Sequence, residues 1–241
     1  MSESNWVSLA SQLTSLLNLE SSPLAITFSK TAPEGVQTYE DNIPEPTSDG
    51  RTGKVPAGCV FWMKGTDRTF TTLPEDHGNC SVGSVTHGLK TINEVSGNSD
   101  VTCLLESGWV TEDMMSTLPV VKERYNFITY GPLDETSIDP DVVLLLINAM
   151  QAMILSDAIP GIRIEGKPQC HIVAVAKQQN DVAISLGCML SRVRTGMPPI
   201  EMTCAIPAGR LAETVASLQT TRRCDNIVAG YAGEDSVRFK K

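Results

Sequence analysis

Several things are missing from this 241-residue chain, and each absence excludes a class of protein. None of its seven cysteines forms a C-x-x-C pair, so zinc ribbons, thioredoxin-like motifs and the usual ferredoxin loops leave no signature. Aromatic residues make up only 5%, which argues against a platform for stacking bases. Basic residues are scattered apart from Arg222-Arg223 and Lys240-Lys241, and the net charge is −9. A nucleic-acid binder needs a clustered basic face to meet phosphates, so no nucleic-acid partner is expected. The longest apolar run, 142–147, falls far short of the ~20 residues that a bilayer requires. The start, Met1-Ser2-Glu3-Ser4, has no basic region of a signal peptide. No membrane association is therefore expected, and a cytoplasmic location follows. Gly83 and Gly88 complete neither a dinucleotide fingerprint nor a P-loop.

What is present is ordinary for a globular chain, with 41% hydrophobic and 20% charged residues. The length is enough for one substantial core. Seven cysteines, an odd number in a chain of this size, make a disulfide framework a poor expectation. The thiols are then free, reactive or metal-bound.

The hydrophobic spacing predicts an amphipathic helix over 3–19, on Trp6, Leu9, Leu13, Leu16 and Leu17. Strands are expected over 24–28, 69–72, 126–130, 141–147 and 200–206. Two further strands, 170–176 and 182–186, read as a hairpin across a polar turn. Short helices are expected over 57–63, after Cys80, after Thr111 and over 148–155, with two more at 211–218 and 223–231. The stretch 102–108 is ambiguous. The polar segment 30–53, rich in Pro and Gly, reads as the most mobile part of the chain and a candidate lid. The expected class is α+β, a single compact unit of 1–241 with helices packed on a mixed, mostly antiparallel sheet.

The chemistry concentrates in 74–88, where two of the three histidines, His77 and His87, flank Cys80 among Gly and small hydroxyl residues. The third, His171, follows Cys170. Four thiols share a setting: Cys59 after Ala57-Gly58, Cys80 after Gly78-Asn79, Cys170 after Pro168-Gln169 and Cys188 after Gly187. Each stands at the edge of an apolar element, where ligands from distant segments can converge. Cys80 falls at the start of a helix, a position that lowers a thiol's pKa. Cys103 and Cys204 lie in apolar runs and read as core filler, while Cys224 has no evident role. The plainer reading is four thiols buried independently. Trp62 and the methionines read as core.

The order of these segments resembles the uncharacterised family called domain of unknown function 169. The resemblance rests on Pro23-Leu24-Ala25-Ile26, Cys59-Val60-Phe61-Trp62, Asp76-His77-Gly78-Asn79-Cys80-Ser81-Val82-Gly83 and Thr86-His87-Gly88. It continues through Tyr130-Gly131-Pro132-Leu133, Pro140-Asp141-Val142-Val143, Gln151-Ala152-Met153, Cys170, Ser185-Leu186-Gly187-Cys188, Ser191-Arg192, Glu201 and Ile206-Pro207. The family pattern implies cysteines at Cys59, Cys80, Cys170 and Cys188, not at Cys103, Cys204 or Cys224. It implies no reaction.

Three functions remain open. The first is an iron–sulfur cluster of the cubane type, or another metal, held by Cys59, Cys80, Cys170 and Cys188, with a redox partner or a small-molecule substrate. Four thiolates suit electron transfer; three leave one iron open to a small polar substrate. His77 or His87 would then serve as acid or base, and Arg192 or Arg194 as an anion clamp. The second is a metal-free thiol enzyme with Cys80 as nucleophile, His77 or His87 as base and Asp76 orienting the imidazole. The third is a non-catalytic carrier or sensor of a cofactor or metal.

Overall fold

The computed structural model describes residues 3–41 and 53–239. Its centre is a seven-stranded sheet in the order β2-β3-β1-β4-β7-β6-β5. The strands are β1 (Leu24–Ser29), β2 (Phe70–Thr72), β3 (Phe127–Pro132), β4 (Val142–Ile147), β5 (Arg163–Glu165), β6 (Ala183–Ser185) and β7 (Met202–Pro207). Every neighbouring pair is antiparallel except β5 with β6. The sheet is thus mixed and mostly antiparallel, and the class is α+β.

β4 explains the two-sided build. Val142 and Leu144 face one hydrophobic cluster; Val143, Leu145 and Ile147 face another. A strand buried on both sides reads as a continuous apolar run, because neither set of alternating side chains meets water. One face is covered by α1 (Glu3–Leu17), α7 (Ala149–Ala158) and α10 (Leu211–Arg238). Asn18, in the left-handed region at φ 51°, ends α1. The Gln151 amide then donates to the carbonyls of Leu17 and Asn18, both at 3.0 Å.

The other face carries the short helices: α2 (Cys59–Gly65), α3 (Ser81–Thr86), α4 (Ile92–Val95), α5 (Ser99–Glu106), α6 (Glu112–Thr117), α8 (His171–Ala174) and α9 (Met189–Thr195). As expected, the Thr111 hydroxyl caps α6 by accepting from the Met114 amide.

Three elements depart from the sequence expectation. Residues 171–179 form a helix, α8 running into one π-helical stretch (Val175–Gln179), and not the first strand of a hairpin. Ile172 to Ala176 are buried all round, and a short apolar run of that kind lacks any period that separates helix from strand. β5 is a strand without a strand pattern in its sequence, since Arg163 and Glu165 disguise it. Residues 211–218 and 223–231 belong to one helix, α10. The two cysteines read as core filler part company. Cys103 is exposed on α5, because Val101 and Leu104 take the inner face. Cys204 is fully buried between the sheet and the α1/α7/α10 layer.

Of the candidate lid, residues 42–52 lie outside the described residues. The chain on its N-terminal side is anchored. The Tyr39 amide donates to Thr71 O at 2.7 Å, Thr71 N donates to Gln37 O at 2.9 Å, and the Tyr39 ring is buried against Phe61 and Phe70. On the C-terminal side the chain is tied to the site: Asn79 bonds Gly53 and Val55, and Lys54 pairs with Asp76 at 3.1 Å. Among the described residues, no helix is long and apolar enough to cross a membrane.

Candidate metal-binding thiol centre

Each of the four cysteines stands where a helix begins. Cys59 is the first residue of α2, and Cys80, Cys170 and Cys188 occupy the position before α3, α8 and α9. Four segments far apart in sequence thereby bring their leading turns to one place. In all six pairings of these thiols, ionisation of one sulfur would raise the pKa of the other. Cys59, Cys170 and Cys188 are buried and Cys80 is half-buried. Cys103 and Cys224 are exposed, and Cys204 lies across the sheet.

Burial dominates the chemistry of these thiols. It pushes Cys59 up to about 12, helped by the charge of Cys80 and opposed by a hydrogen bond from Ser191. Gln169 Nε2 also donates to Cys59 Sγ at 3.0 Å. Cys170 is held well above its ordinary value by burial and by Cys80 and Cys59, against a hydrogen bond from Thr86. Cys80 rises to about 11. The Gly83 amide and Arg194 do favour its thiolate, but burial, Cys188 and the buried Asp100 carboxylate outweigh them. Cys80 is therefore not the activated thiol its place before a helix suggested. Asp100 stays because it binds the Ser81 amide at 2.9 Å and the Ser81 hydroxyl at 2.7 Å, fixing the start of α3.

Gly83 lies in close approach to Cys80. A Cβ there would stand 3.2 Å from Cys80 Sγ, so any larger residue would push the sulfur aside by a few tenths of an ångström.

An enclosed cavity adjoins the thiols, lined by Cys59, Cys80 and Cys170 with Trp62, His77, His87 and Tyr130. Its volume is about 10 Å³, roughly what one water fills. Three of the lining side chains carry buried polar atoms without a partner: Trp62 Nε1, His87 Nε2 and Tyr130 Oη. Such orphans are rare in folded proteins, and three of them lie around this one cavity.

The histidine tautomers follow from the partners. His87 Nδ1 lies 2.9 Å from Gly83 O, which can only accept, so Nδ1 carries the proton and Nε2 is a bare lone pair. The Thr72 hydroxyl donates to Ile128 O at 3.0 Å, so its 3.0 Å contact with His77 must use a proton on His77 Nε2. Burial holds both rings neutral, pushing His77 down to about 3 and His87 down to about 4.

Two expected roles change. Asp76 does not orient His77; its carboxylate receives the Leu73 amide at 2.8 Å and pairs with Lys54. Arg192 is no anion clamp, for its guanidinium donates to the carbonyls of Leu186, Pro199 and Glu201 and pins the loop before Cys188. Gly187, at φ 114°, passes so close to Arg192 Nη1 that a Cβ would overlap it. Arg194 is the arginine that reaches the thiols, donating to Asn79 O at 2.8 Å beside Cys80. Thr86, Ser191 and Tyr130, which the family pattern contains but to which the sequence assigned no role, join the site together with Gln169. For Gln169 the only signal in the sequence is a polar residue set directly before Cys170.

Among the described residues, no three His, Cys, Asp or Glu side chains are grouped so as to hold a single metal ion. A tetrahedral ion with bonds of about 2.3 Å needs its sulfurs roughly 3.8 Å apart. A multi-iron cluster spreads its thiolates more widely, each on a different iron.

A family model for domain of unknown function 169, described as uncharacterised ArCR, matches residues 12–217. The chain belongs to this family. No curated protein and no solved structure matches it. The match to domain of unknown function 169 spans all four convergent cysteines, both cavity histidines and every strand of the sheet.

Proposed function

We propose that the chain holds an iron–sulfur cluster on the thiolates of Cys59, Cys80, Cys170 and Cys188. The observation that carries this reading is the meeting of three buried thiols and the half-buried Cys80, from four distant helix starts, three of them lining one cavity beside three orphaned polar atoms. Thiols with pKa values near 11 and 12 stay protonated at neutral pH and are weak nucleophiles. Only a cation among them makes their ionisation favourable, since its charge inverts the penalty of burial. The same numbers tell against the metal-free thiol enzyme, which also lacks its Asp76.

When bound, a cluster supplies electron transfer with a redox partner, or an open iron for a small polar substrate. The chain's own groups would do the rest. His87 Nε2 offers a lone pair, Trp62 Nε1 and Tyr130 Oη offer protons, and the aromatic rings around them exclude water. The cavity is the size of about one water, so loading displaces the surrounding side chains and couples to local order. A simple carrier or sensor uses the same ligands; turnover of a substrate by the loaded protein separates the enzyme from it.

The test is anaerobic isolation, or reconstitution, followed by iron and acid-labile sulfide analysis. Roughly four of each per chain are expected for the cubane type. Replacing any of the four cysteines with Ser is expected to lower the content, whereas Ser at Cys103, Cys204 or Cys224 leaves it intact. A protein without iron after reconstitution, or one indifferent to all four replacements, overturns the proposal.

A further inference from the structure

The second half of α10 leaves the body of the protein. Leu211, Thr214, Val215 and Leu218 are buried, whereas every residue from 226 to 239 is exposed. That exposed stretch is not uniformly polar. Ile227, Val228 and Tyr231 are 66%, 64% and 84% exposed, with the exposed Cys224 one turn before them. At about 100° per residue these four fall on one stripe, roughly 140° around the helix from the core-facing side. A neighbour can therefore lie along the stripe without meeting the body. Apolar faces of amphipathic helices are normally covered.

We propose that this half-helix pairs with its counterpart from a second copy of the chain, antiparallel, about a two-fold axis near Ile227 and Val228. Charge selects this occupant. Arg223 and Glu234 flank the stripe on the same side, and neither makes an ion pair within the described residues. Antiparallel pairing brings Arg223 of one copy within a turn of Glu234 of the other, twice by symmetry. Parallel pairing would instead put the Arg223 and Glu234 of the two copies on opposite flanks of the seam, where no such ion pair forms. In the antiparallel register Ile227 opposes Val228 and Cys224 opposes Tyr231, so the apolar residues meet one another. The contact is short, and exchange with monomer is expected at micromolar concentration.

Sedimentation equilibrium of the full chain tests this. A concentration-dependent dimer is expected, and Tyr231→Glu is expected to leave a monomer with an unchanged melting temperature. Arg223→Glu and Glu234→Arg should each weaken the dimer several-fold, and the double variant should restore it. In a background where Cys103 and Cys224 are Ser, Val228→Cys lies on the axis and should oxidise to a cross-linked dimer. Ala229→Cys points aside and should not. A wild-type monomer at every concentration overturns the proposal, whether or not some other protein binds the face. So does a dimer indifferent to Tyr231→Glu and to the charge exchange.

Discussion

His87 sits at the residue-level centre of the site, because its two nitrogens have opposite fates. Nδ1–H is satisfied by Gly83 O, and Nε2 is a buried lone pair without a partner on a ring that lines the cavity. Burial lowers the pKa of His87 to about 4 and of His77 to about 3, from an ordinary 6.5. The unfolded chain therefore binds more protons than the folded one between these values and 6.5. Stability is full above pH 6.5 and falls as pH drops toward 4, by on the order of 3 kcal/mol per histidine. Urea denaturation of the metal-free protein at pH 7 and pH 5 should show this loss, with a shallower slope in His87→Gln. The thiols act at the other end of the scale. Cys59 and Cys80 are raised, so unfolded thiols ionise first above pH 9 and stability falls as pH rises toward 12. Gly83→Ala gives a third readout at this scale. Its methyl group at 3.2 Å crowds Cys80 Sγ, and iron retention against a chelator is expected to fall while the melting temperature changes little.

At the scale of elements, the loop from β6 into α9 shows how a cysteine is aimed. Gly187 takes a left-handed φ of 114°, Arg192 folds back onto three carbonyls, and Cys188 is left at the head of α9. Arg192→Ala removes the donor those carbonyls share and is expected to cost about 1–3 kcal/mol in urea denaturation. Arg192→Lys should recover only part, since a lysine lacks the planar fork. The loss belongs to the loop, so iron retention should weaken along with it. Legibility in sequence divides along the same lines. The Leu24–Ser29 and Val142–Ile147 strands and the α1 helix are plain, because burial on a regular face imposes a regular spacing. The α8 segment is not, since a helix buried on all sides has no face to betray it. Arg192 misleads for a related reason: sequence shows a cation near Cys188 but not the carbonyls that occupy it.

Across the whole molecule, the sheet separates two tasks. One face, with α1, α7 and α10, is hydrophobic packing; the other carries the thiols, the aromatic wall and both cavity histidines. Seven of the twelve aromatic residues join one connected set of rings with His77 and His87 on that face, so their scarcity elsewhere matters little. Because the four cysteine-bearing segments cross the fold from residue 59 to residue 188, loading of the proposed cluster is expected to raise the melting temperature of the whole unit. A calorimetric scan of loaded and chelator-stripped protein checks this; equal transitions would place the cluster outside the cooperative core.

By itself, the sequence determined the α+β class, the helix starts at Cys59 and Cys80, the place of all four cysteines at the edges of apolar elements and the lack of any local metal motif. Those features come from spacing along the chain, which burial and capping impose one element at a time. The tertiary structure alone decided that the four starts meet, that Asp76 and Arg192 face elsewhere, and that His87, Trp62 and Tyr130 leave polar atoms without partners. These depend on contacts between segments a hundred residues apart, and no local period records them.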